Sequence, residues 1–214
     1  MTQIKICGLR EAAHIETAID AGADYIGFIL YPPARRYIEP TLVRDVMRTV
    51  SREKVGVVGI FVNESPEHIN RIADLIGLDV VQLGGDEPAE LTGKIERPVA
   101  RTVHVGPDTT VDDIHARSVG ARFIHLDARK DGSYGGTGTT FDWGIARGVH
   151  SLGPIWLAGG LSPDNVEMAI ATAAPTLVDV SSGVEIDGRK DSAKILAFVT
   201  AVRRAVAGEA SISR

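Results

Sequence analysis

Cysteine is almost missing from this chain: Cys7 stands alone among 214 residues. One thiol cannot close an internal disulfide, which suits a reducing compartment. Long apolar runs are missing too. None approaches the ~20 residues that span a bilayer, and Gln3 and Lys5 interrupt the opening isoleucines where a signal peptide would be apolar. No basic run or aromatic–basic patch occurs, and the net charge is −5, which argues against nucleic acid as the main partner. The expectation is a soluble, cytoplasmic protein with neither nucleic acid nor membrane as partner.

Several chemical signatures are absent as well. His14, His68, His104, His115, His125 and His150 show no metal-ligand spacing with one another or with Cys7, so no metal is expected. No Gly-x-Ser-x-Gly elbow supports Ser-His-Asp chemistry. A Rossmann fingerprint is missing from the first strand–helix turn, and Gly135–Thr140 lacks the Lys-Ser/Thr ending of a P-loop. That glycine-rich stretch reads instead as a lid or substrate-contacting loop.

What is present is a rhythm. Strand-like runs at Gln3–Cys7, Tyr25–Leu30, Lys54–Phe61, Val80–Leu83, Val99–Val103, Phe123–Asp127, Ile155–Ala158 and Leu177–Ser181 alternate with amphipathic stretches. The clearest helical patterns are Glu11–Ala21, Leu42–Val50, Pro66–Ile76, Pro163–Ala173 and Ser192–Val206. Pro88–Arg97 and Phe141–Val149 are weaker, and Gly106–Thr110 reads as a turn. No linker divides the chain. The pattern predicts a small (β/α)8 TIM barrel over residues 1–207, with some shortened or loop-like helical connections and a frayed tail over 208–214. An open doubly wound sheet is the alternative.

In a barrel, strand residues alternate between the interior and the helices. Ile4 and Ile6 then face outward, and Lys5 and Cys7 inward. By the same alternation His125, Asp127, Asp179 and Gln82 point inward, near the strand ends where barrels place function. Inward carboxylates need a partner, water or a task; Lys5 could neutralise either Asp127 or Asp179. Gly159-Gly160 after the seventh strand and Ser182-Gly183 after the eighth offer backbone N–H groups and a hydroxyl to an anion, at the two loops where many barrels hold phosphate.

Lys5–Leu9, Ala21–Phe28, Arg36–Ile38, Val58–Asn63, Asp79–Leu83, Gly135–Gly138 with Phe141–Trp143, Leu157–Leu161 with Pro163–Val166, Asp179–Glu185, and Gly188 with Lys190-Asp191 resemble, in order, the phosphoribosylanthranilate isomerase family of tryptophan biosynthesis. The resemblance implies an Amadori rearrangement of N-(5-phosphoribosyl)anthranilate to 1-(2-carboxyphenylamino)-1-deoxyribulose 5-phosphate, with no cofactor. It implies Asp127 as general acid on the ribose ring oxygen and Cys7 as general base on the C2 proton. Arg36 would bind the anthranilate carboxylate, and the Gly159-Gly160 and Ser182-Gly183 loops the phosphate. Gln82 and Asp179 are further substrate-binding candidates. The partner is then a small phosphorylated aminoaldose, and the protein a monomer or homodimer.

A free thiol near pKa ~8.5 serves as a base if modestly activated, and Lys5 is the candidate activator, or a structural counter-charge. Asp127 must have its pKa raised to remain an acid. This chain departs from the family's usual pattern at Ala34-Arg35, at Gly84, where a histidine is usual, and at Thr139, where a lysine is common. Two rivals are a histidine-pathway aminoaldose isomerase, which usually carries aspartate in place of Cys7, and a non-catalytic phospholigand-binding barrel.

Overall fold

A computed structural model describes the backbone of residues 1–51, 55–128 and 140–212. Strands β1 (Gln3–Cys7), β2 (Tyr25–Ile29), β3 (Gly56–Phe61), β4 (Val80–Leu83), β5 (Val99–Val105), β6 (Phe123–Ala128), β7 (Ile155–Leu157) and β8 (Leu177–Val180) close in sequence order into a parallel barrel. The expected TIM barrel is therefore the fold, and the doubly wound sheet is not. Closure is made by β1 against β8, which sets Lys5 opposite Asp179.

The helices are α1 (Ala12–Asp20), α2 (Pro40–Met47), α3 (Pro66–Ile76), α4 (Ala89–Thr92), α5 (Val111–Ser118), α6 (Ile145–Gly148), α7 (Val166–Ala173) and α8 (Ser192–Ile212). The two weak connections are indeed single turns, α4 and α6. One helix was not expected. At α5 the reading of a turn before residue 111 caught only its cap: Thr110 Oγ1 accepts the Asp113 N–H at 3.1 Å while Asp113 accepts the Thr110 N–H at 2.9 Å, a reciprocal capping box. Only Ile114 and Ser118 of that helix are buried, so its hydrophobic periodicity is faint. Helix α8 runs to Ile212, through residues expected as a frayed tail. Among the described residues no helix is long and apolar enough to cross a membrane.

Alternation divides the barrel wall as anticipated. Ile4 and Ile6 belong to the outer core between strands and helices, with Ile15, Ile26 and Phe198. Inside lies a separate cluster of Cys7, Val58, Ile60, Val80, Ala100, Trp156 and Leu177. Toward the N-terminal ends of the strands, Trp156 stacks on Phe123 at 4.6 Å between centroids and meets Tyr25 at 5.3 Å, an aromatic plug that closes the barrel below. Polar groups lie above the plug.

Candidate active site

The first polar layer is an ion-pair network. Lys5 is wholly buried, and its Nζ donates to Asp179 Oδ2 at 2.6 Å and to Gln82 Oε1 at 2.8 Å. His125 Nε2 lies 3.0 Å from the same Asp179 oxygen, and its Nδ1 lies 3.2 Å from Thr102 Oγ1. Burial opposes ionisation of Asp179, yet Lys5 and His125 outweigh it and hold the carboxyl below its ordinary value. Burial likewise disfavours the Lys5 cation, but Asp179 and Cys7 outweigh it and keep Lys5 charged. Of the two open pairings, the structure takes Lys5–Asp179.

Removing one member of a buried pair strands the other, at a typical cost of about 3–5 kcal/mol. Lys5→Met is expected to lower the thermal midpoint by about 6–20 °C, at ~2–4 °C per kcal/mol for a chain of this size. A melting curve within 2 °C of wild type would contradict this role for Lys5.

Asp127 sits two residues beyond His125 on β6 and outside that network. Its Oδ1 accepts the Ala128 N–H at 2.9 Å. No ion pair to it is formed among the described residues. Burial pushes its carboxyl up, and the nearby histidines His125 and His104 offset only part. Burial also pushes the Cys7 thiol up; Lys5 pulls it down, Asp179 up again and Lys190 down, without restoring the ordinary value. Lys5 therefore pulls the thiol in the expected direction, but burial exceeds the pull of a cation already paired to Asp179.

Above these groups the strand ends open into a cavity of about 590 Å³. Cys7, Arg36, Gln82, Asp127, Asp179, Gly159, Gly160 and Ser182 all line it. Gly183 does not. A Cβ on Gly183 would stand 1.9 Å from the Leu161 carbonyl oxygen, so this glycine lets the loops after β7 and β8 approach each other. The β7 loop is further held by Asn165, which accepts the Ser162 N–H at 2.8 Å and donates to the Gly160 carbonyl at 2.9 Å. Asp179 Oδ1 is buried without a hydrogen-bond partner among the described residues. An orphaned acceptor costs about 1–3 kcal/mol, so this oxygen suits an incoming donor.

The sequence reading has the Arg36 fork bind both oxygens of a carboxylate. One edge is taken: Nε donates to Glu185 Oε1 at 2.6 Å and Nη2 to Oε2 at 2.9 Å. Glu185 opens a short hairpin, β9 (Glu185–Ile186) and β10 (Arg189–Lys190), in which it faces Lys190. Its importance was missed, although Asp187-Gly188 between two short runs is a hairpin signal. The unexplained Arg35 also reaches Glu185, at 2.8 Å. At the glycine in place of the usual histidine, His104 Nε2 lies 3.2 Å from the Gly84 carbonyl oxygen and lines the mouth. Residues 135–139, with the expected lid and Thr139, lie outside the described residues.

The family model described as N-(5'-phosphoribosyl)anthranilate (PRA) isomerase matches residues 4–201. An N-(5'-phosphoribosyl)anthranilate isomerase of Geobacter sulfurreducens is 40% identical over 200 residues, covering 93% of this chain and 97% of that protein. The phosphoribosyl anthranilate isomerase structure from Thermotoga maritima superposes with a TM-score of 0.85 at 38% identity, covering 95% of this chain and all of the other (100%). A further structure, of such an isomerase in complex with reduced 1-(o-carboxyphenylamino)-1-deoxyribulose 5-phosphate, has a TM-score of 0.82 at 35% identity, with 95% and 100% covered.

Proposed function

Since the chain belongs to the N-(5'-phosphoribosyl)anthranilate isomerase family and is an isomerase of tryptophan biosynthesis, we propose that Asp127 and Cys7 are its general acid and general base, within one catalytic unit over residues 1–207. The observation that carries this reading is the split between two inward carboxylates. Asp179 is ionised by Lys5, while Asp127 is left to burial and held toward its protonated form.

The substrate's phosphate lies against Gly159, Gly160, Ser182 and Gly183, where backbone N–H groups gather, and its carboxylate meets the open edge of Arg36. The unpartnered Asp179 Oδ1 accepts from a sugar hydroxyl or the anilino N–H. Gln82 holds Lys5 in place from the cavity wall. Asp127 gives its proton to the ribose ring oxygen. The C1–O bond breaks as the nitrogen lone pair forms C1=N, leaving a protonated Schiff base. That cation draws the thiol's pKa down and acidifies the C2 hydrogen. Cys7 thiolate takes the C2 proton, the C–H electrons form C1=C2 as the C1=N pair returns to nitrogen, and the enolamine tautomerises to the ketone as C1 gains a proton and the C2 hydroxyl loses one.

Purified protein is expected to quench the fluorescence of N-(5-phosphoribosyl)anthranilate without added metal or organic cofactor. Analogue binding with no turnover would contradict the reading, as would turnover confined to the histidine-pathway aminoaldose. The monomer and homodimer forms are separated by sedimentation velocity.

A further inference from the structure

Glu185 touches three cations and lies beside, not on, the proposed chemistry. Its carboxylate receives Arg36 on both oxygens, Lys190 Nζ on Oε1 at 2.9 Å and Arg35 Nη2 on Oε2 at 2.8 Å. Burial opposes its charge, but Arg36 and Lys190 prevail and hold its pKa at about 2. One negative charge against three positive ones leaves an excess of two at the cavity mouth.

Arg36 enters from the loop between β2 and α2, in which Tyr37 forms an isolated parallel bridge with Ile29. Its stem lies so close over Gly8 that a Cβ there would be 2.7 Å from Arg36 Cδ, and Gly8 has φ +75°. The guanidinium has five N–H donors. Glu185 takes two on one edge, so three remain for another anion. Lys190 extends the clamp: it donates to the Ser181 carbonyl at 2.8 Å, and Ser181 Oγ donates to the Cys7 carbonyl at 3.1 Å.

We propose that Glu185 is the positioning residue through which this enzyme reads its substrate's carboxylate: it locks one edge of Arg36, braced from outside by Arg35, so that the other edge meets the anion already oriented. Glu185 itself does not touch substrate. The inference rests on the reading of Arg36 as the carboxylate-binding residue. It also gives Arg35 a task, as an outer brace on the same carboxylate.

The test is a double-mutant cycle on Glu185→Gln and Arg36→Met, with kcat, KM and thermal midpoint measured on N-(5-phosphoribosyl)anthranilate. Glutamine keeps the shape and loses the charge. Glu185→Gln is expected to raise KM about tenfold with kcat changed less than about threefold, the size of one weakened charge-assisted contact. In the Arg36→Met background the same change should leave KM within about twofold, since the contact it supports is gone. Arg35→Ala, at a half-exposed position, is the variant whose folding is not in question, and should raise KM about threefold by the same route. An equal KM penalty in both backgrounds would overturn the proposal as a purely structural effect. So would tighter binding by Glu185→Gln, or an Arg35→Ala variant identical to wild type. If Arg36→Met alone leaves KM unchanged, the carboxylate reading itself fails, and that outcome is visible separately in the same cycle.

Discussion

Asp127→Asn is expected to lower kcat by about 10²–10⁴-fold, the usual contribution of a positioned general acid, while raising the thermal midpoint at neutral pH. Both effects have one cause. A buried carboxyl without a cationic partner has a folded-state pKa above its unfolded value, so its contribution to stability is full below the unfolded value and is lost as pH rises through the folded one. At neutral pH, above the unfolded value, the wild type is therefore destabilised by a carboxyl whose ionisation the folded site opposes, a cost that asparagine removes while keeping an oxygen for the Ala128 N–H. The stability gain should vanish when both proteins are melted near pH 3. Loss of activity with an unchanged or lower midpoint at pH 7 would contradict the assignment of Asp127 as an acid raised by burial.

Cys7→Ala should likewise reduce kcat by about 10²–10⁴-fold, with KM changed little, because the thiol acts on the C2 hydrogen rather than on the phosphate or carboxylate. Folding should survive: Cys7 belongs to the apolar interior cluster, and alanine loses only one buried sulfur from it. The pH–rate profile gives a second reading. Both groups are shifted upward, Asp127 from the carboxylate range and Cys7 from the thiol range, so kcat/KM should be bell-shaped with its lower break at the Asp127 pKa and its upper break at the Cys7 pKa, the active form being the one with Asp127 protonated and Cys7 ionised. Cys7→Ser should lose the thiol's upper break in its residual activity. Near-normal turnover by Cys7→Ala would sink the mechanism.

Much of this site was legible before any coordinates because strands have period two. Ile4-Lys5-Ile6-Cys7 states its own orientation, and the interior cluster and buried Lys5 follow it. The pairing of Lys5 was not legible. Asp127 and Asp179 both point inward, and only closure of β1 on β8 places Asp179 opposite Lys5 and leaves Asp127 higher on β6. That one registration decides which carboxylate is ionised. The partners of Arg36 were hidden for a similar reason, since Glu185 lies 149 positions away in sequence. Helix α5 was missed because a mostly exposed, charged helix carries little hydrophobic period. Gly183 reads as an anion-binding glycine, and its backbone also fits against the Leu161 carbonyl, a close approach between two loops that no local pattern announces.

The division of labour between Asp127 and Cys7 is tested most directly with substrate deuterated at ribose C2. If Cys7 removes that hydrogen, the residual turnover of Cys7→Ser becomes limited by C–H cleavage and shows a primary isotope effect. Asp127→Asn, limited by ring opening, then shows none. An isotope effect in Asp127→Asn together with none in Cys7→Ser would contradict the assignment of base and acid made here.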